Sequence, residues 1–143
     1  MMSAFFVAAA ALAGPGAGHA VATAQHPVRL EPAIAAAARC SAQPQVVVTL
    51  TGFTPPTRGH ASLVVSIRTE DGRTQRLGEA GVFPEQAFAA PAPAQHFGFA
   101  LPPGTLAKRP QVIVELSADD ARGTDARATI GAAEIVPAPQ EHC

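Results

Sequence analysis

The sequence predicts an all-β fold in which two antiparallel sheets stack as a sandwich of about seven short strands. Three observations carry that expectation. From Gln45 onward apolar residues recur at every second position, the period of a strand with one buried face. Turn chemistry breaks these runs at the spacing short strands require, at Pro55-Pro56-Thr57-Arg58-Gly59, Asp71-Gly72 and Pro102-Pro103-Gly104. The tail reads as an antiparallel pair, with Val112 to Leu116, a polar turn from Ser117 to Asp125, and then Ala126 to Val136.

Met1 to Ala13 is an apolar run with Phe5, Phe6, Val7 and a series of alanines, followed by the helix-breaking Gly14-Pro15-Gly16. It reads as a secretory signal peptide, too short for the ~20 apolar residues that span a bilayer. Gly18-His19-Ala20 and Ala22-Thr23-Ala24 both offer the small residues a signal peptidase requires, so cleavage is expected after Ala20 or Ala24. No Lys or Arg precedes Arg29, which leaves an Ala-rich tail on a cytoplasmic protein as the alternative reading. The expected organisation is a signal peptide over 1–24, a linker or short helix over 25–44, and the sandwich over 45–143. In the second segment Pro32 is placed to open a helical turn over Ala33 to Ala38, although so short a helix is marginal alone.

Within the body, Val46, Val48 and Leu50 alternate with Val47, Thr49 and Thr51, and Leu63, Val65 and Ile67 with Val64, Ser66 and Arg68. Asp71-Gly72 predicts a tight hairpin that returns Thr74 to Leu77 beside the second of these strands. Gly78 to Phe83 continues that strand, broken by glycines, and Pro84 to Ala94 reads as a surface loop. Phe97, Phe99 and Leu101 share one face, which is expected to point inward. After Val112, Val114 and Leu116, the last strand alternates Ala126, Ala128 and Ile130, meets a bulge at Gly131, and recovers its face at Ala133 and Ile135. Seven such strands in two layers predict an immunoglobulin-like antiparallel sandwich.

The composition bounds the function. The 143 residues carry a formal net charge of −1, with Lys and Arg scattered among Asp and Glu, so no basic stripe predicts nucleic acid as a partner. Once the leader is removed no segment predicts membrane attachment. The two cysteines, Cys40 and Cys143, are expected to form a disulfide in an exported protein. Closing a loop of about 100 residues, the bridge is worth roughly 4 to 5 kcal/mol in the chain-entropy account. Two free thiols, or a terminal metal site at His142-Cys143, are the alternatives.

No catalytic constellation emerges, and no cofactor is expected. Ser41, Ser62, Ser66 and Ser117 lie outside any Gly-x-Ser-x-Gly elbow, and the acidic pairs Glu70-Asp71 and Asp119-Asp120 sit in polar turns where they bond the backbone. His26, His60, His96 and His142 are not spaced as metal ligands. His96, His142 and Cys143 are the weak candidates for a metal, which a disulfide would deprive of its thiolate.

Four stretches resemble the C-terminal sandwich domain of tyrosinases and polyphenol oxidases: Val46 to Pro56 (VVVTLTGFTPP), Ser62 to Arg68, Leu77 to Pro84 (LGEAGVFP), and Val112 to Val136 with its Thr129-Ile130-Gly131 element. The likeness runs over about Gln45 to Val136 and lacks the histidine-rich helices that hold paired copper in those enzymes. The resemblance implies an accessory domain without oxidase activity of its own. In that family the domain packs over the active site and shields it. The expectation is therefore a non-enzymatic, secreted or periplasmic module that acts by protein–protein interaction, with a copper oxidase or another exported protein as partner. A periplasmic copper carrier using His and Cys ligands is the alternative.

Overall fold

The structure, a computed structural model, describes residues 20–118 and 125–138. Among the described residues nine strands lie in two sheets. They are β1 (Ala20–Thr23), β2 (Val28–Leu30), β3 (Ala33–Ile34), β4 (Gln45–Thr54), β5 (Ala61–Arg68), β6 (Thr74–Gly81), β7 (Gln95–Ala100), β8 (Gln111–Ala118) and β9 (Arg127–Val136). A 3-10 turn covers Ala36–Cys40. One sheet has the order β1-β9-β4-β7, with β3 joining β9 beyond β1; the other has the order β2-β8-β5-β6. The pairing is antiparallel except between β3 and β9.

Alternation builds the core. Val46, Val48 and Leu50 of β4 and Ala128, Ile130, Ala133 and Ile135 of β9 project from one sheet. Leu63, Val65 and Ile67 of β5 and Val112, Val114 and Leu116 of β8 meet them from the other, all within 5% of complete burial. Phe99 is buried with them, and Phe97 packs against the cluster. On β9 the small Ala133 lies opposite Val48 and Ala128 opposite the buried Phe53, small against large across the strand pair. The bulge at Gly131 lies where pairing jumps from Thr49–Ala132 to Leu50–Ile130. A Cβ at Gly131 would stand 2.6 Å from the Thr51 methyl, which is why the residue there has none.

The segment before Gln45 differs from expectation. Ala22 is fully buried against β9, Val28 sits in the core, and Ala33–Ile34 forms strand where a helical turn was expected. Pairing with Glu134 and Ile135 satisfies backbone groups and packs Ile34 on the core, which outweighs the helix preference of a few alanines. Residues 20–40 are thus part of the sandwich rather than a linker.

The β5–β6 hairpin forms where Asp71-Gly72 predicts it. Gly72 N–H bonds the Thr69 carbonyl at 3.0 Å, Thr69 N–H bonds the Arg73 carbonyl at 2.8 Å, and Gly72 has φ +84°. The loop is therefore a tight hairpin whose left-handed position is filled by Gly72, and it returns Thr74 beside Arg68. Asp71 and Thr69 favour this form by bonding each other and the Arg73 backbone.

On the outer face of the second sheet Ser66 is 6% exposed, the one buried polar residue among those described, and it pairs with the equally buried Ile113. The register sets Arg29 beside Ile113 and Arg76 beside Ser66, so two aliphatic arginine stems flank this outward apolar spot. No helix among the described residues is long and apolar enough to cross a membrane.

Candidate functional site

Because adjacent strands run in opposite directions, the β4–β5, β6–β7 and β8–β9 connections converge at one end of the sandwich. This end carries the most exposed large apolar side chain among the described residues, Phe83, at 87% exposure. Its neighbour Val82 is 4% exposed. Successive residues of an extended chain point to opposite sides, so burying Val82 turns Phe83 outward.

Three ties brace the loops around it. Phe88 exchanges two backbone hydrogen bonds with Phe53, at 2.9 and 3.0 Å, and pins the middle of the β6–β7 connection to β4. Glu85 pairs with His60 Nδ1 at 2.6 Å and accepts the Ala61 amide at 3.2 Å, which joins the same connection to the start of β5. Asp125 accepts both the amide and the hydroxyl of Thr57, joining the β8–β9 and β4–β5 connections. Phe83 is thus held out on a scaffold fixed at three points.

The hydrogen bond from His60 holds the Glu85 carboxyl below the usual glutamate value. The bonds from Thr57 do the same for Asp125 relative to aspartate. A carboxylate whose folded pKa is depressed contributes stability that is present above its unfolded pKa and lost as pH falls through the folded value. The melting temperature is therefore expected to hold from pH 7 down to about pH 5 and to fall below the ordinary values of 4.5 and 3.8. Glu85→Gln is expected to reduce that acid slope, which thermal melts across the pH range would measure.

Of the three residues singled out from sequence for a metal, His96 alone lies among the described residues. No group of three or more His, Cys, Asp or Glu there is placed to hold a metal ion. His96 lies on the outer face of β7 with Nδ1 3.1 Å from the Thr49 hydroxyl across the strand pair. His142 and Cys143 fall outside the described residues. Cys40 ends the 3-10 turn at the opposite end of the sandwich from Phe83.

Phe83, His60, Glu85, Thr57 and Asp125 were not picked out from the sequence. One signal was present: in Val82-Phe83-Pro84 two adjacent large apolar residues close a strand, and the pleat lets only one face inward. The pairs His60–Glu85 and Thr57–Asp125 span 25 and 68 residues, which no local pattern encodes. No protein family, curated protein or solved structure matches the chain.

Proposed function

We propose that the chain is an exported, non-enzymatic β-sandwich module, secreted or periplasmic, that acts by protein–protein contact through its Phe83 end. The observation that carries this reading is a fully presented aromatic on a braced loop. An exposed phenylalanine adds nothing to the stability of the free protein, whereas aromatic side chains are the residues that anchor protein interfaces. The resemblance noted above supplies the partner class: the module serves as accessory or shielding partner of a tyrosinase-like copper oxidase. The immunoglobulin-like description belongs to the same proposal. Two packed layers, of five and four strands, support it, while the position of β9 beside β4 rather than β8 departs from the constant-domain order.

Two features favour export with processing after Ala20. Cleavage there leaves Val21 to Thr23 beside β9, whereas cleavage after Ala24 removes β1 and uncovers the paired stretch of β9. The Ala138 amide bonds the Ser41 hydroxyl at 3.4 Å, so the chain leaving β9 runs past the neighbour of Cys40. Cys143 lies five residues beyond Ala138, an extended reach of about 17 Å, which supports the Cys40–Cys143 bridge.

The reading is tested with the purified module and a purified tyrosinase-like copper oxidase. Binding is expected, with Phe83→Ser weakening it at least tenfold, about 1.4 kcal/mol, while the melting temperature stays within a few degrees. Absence of binding in a direct titration removes the oxidase as partner. Binding that Phe83→Ser leaves unchanged removes the Phe83 end as the contact.

A further inference from the structure

The end of the sandwich opposite Phe83 gathers basic side chains that are distant in sequence. Arg68 closes β5, and Lys108 and Arg109 lie in the connection that leads into β8. This connection is clamped from two sides. Arg39, from the 3-10 turn, donates Nη1 to the Ala107 carbonyl at 3.1 Å and Nη2 to the Lys108 carbonyl at 3.0 Å. From the β5–β6 turn, Glu70 accepts the Lys108 amide at 3.0 Å.

The clamp leaves Arg68, Lys108 and Arg109 around two adjoining clefts of about 470 and 380 Å³. Glu31 and Gln111 border the first, and Glu70 borders the second. Arg68, Lys108 and Arg109 are exposed, and no ion pair among the described residues involves them. Arg73 and Arg76, at the β5–β6 hairpin, behave differently, since they are paired with Asp71 and Glu79.

Three like charges held along one cleft repel one another, and the clamped backbone denies the Lys108-Arg109 pair an easy way apart. An anion relieves that repulsion. Guanidinium groups present planar forks that match carboxylate and phosphate oxygens in bidentate fashion, and the ammonium of Lys108 adds a point charge. The volume falls in the range of small-molecule sites.

We infer that the Arg68–Lys108–Arg109 cleft binds a small multivalent oxyanion, a polycarboxylate or a phosphate. Arg68 and Arg109 are the bidentate donors. The site is independent of the Phe83 end and of any oxidase partner.

The test is titration of the full exported protein with citrate and, in a separate arm, with inorganic phosphate, followed by calorimetry and amide chemical shifts. Saturable binding is expected, with shifts confined to residues 68–72 and 107–111, and preference between the two arms tells which oxyanion the cleft fits. Arg109→Ala and Arg68→Gln are each expected to weaken binding about tenfold or more, whereas Arg127→Ala, near the Phe83 end, leaves it unchanged. Failure of both anions to saturate by about 10 mM, well above the 1 mM that corresponds to weak specific binding, overturns the inference. So does equal weakening by Arg127→Ala, which marks diffuse attraction to surface charge. Circular dichroism of each variant establishes that it is folded, and the paired Arg68→Lys variant, which keeps charge but loses the fork, is expected to recover part of the affinity.

Discussion

Ala22→Asp is expected to unfold the protein or to remove most of its stability, while Val21→Asp, one residue earlier, leaves it nearly unchanged. Ala22 is fully buried on the inner face of β1, opposite Ala128 of β9, which is also fully buried. A carboxylate there has no partner and no water, a penalty of several kcal/mol set against a typical domain stability of about 5 to 15 kcal/mol. Val21 is 48% exposed and faces away, so a charge there remains hydrated and costs no more than about 0.5 kcal/mol. Thermal and urea unfolding of the two variants side by side give the result. If both are as stable as the parent, residues 20–23 are not part of the core.

The second large effect concerns the centre of the other sheet. Leu63 is fully buried on β5, between Ala80 of β6 and Leu116 of β8. Leu63→Ala is expected to cost about 2 to 5 kcal/mol, since the transfer term is joined by a cavity that β-strands paired on both sides cannot collapse to fill. For a domain of about 120 residues each kcal/mol lowers the melting temperature by roughly 3 to 6 °C, so the fall should be at least about 6 °C. Val64→Ala, on the outer face of the same strand, should cost much less. Equal effects at the two positions would contradict the assignment of inner and outer faces.

The parts of the fold that were legible from sequence are those written in local pattern. The alternation of Val46, Val48 and Leu50, of Leu63, Val65 and Ile67, and of Ala126 to Ile135 gave the correct inner face for each strand, and Gly131 marked a real bulge. A period of two is a property of neighbouring residues, and burial follows directly from it.

What was not legible depends on partners far along the chain. Ala20 to Thr23 is four residues with no apolar alternation of its own, and only the exposed edge of β9 makes it a strand. The alanines from Ala33 to Ala38 carry a helix preference that pairing with β9 overrides in part. Apart from the adjacent Lys108-Arg109, Lys and Arg are scattered singly along the chain, and it is folding that brings Arg68 into one cleft with that pair. Phe83 was read as the end of a strand, and its exposure is decided by Val82 claiming the core.

The proposed function requires a body that begins at β1 and is exported in that form. The most direct measurement is the intact mass of the exported form, taken without reduction. A chain that starts at Val21 and is lighter by two hydrogens than its reduced counterpart is the predicted result, because it keeps β1 against β9 and joins Cys40 to Cys143. A chain that starts at Gln25 or at Met1, or one whose mass is unchanged by reduction, would contradict it.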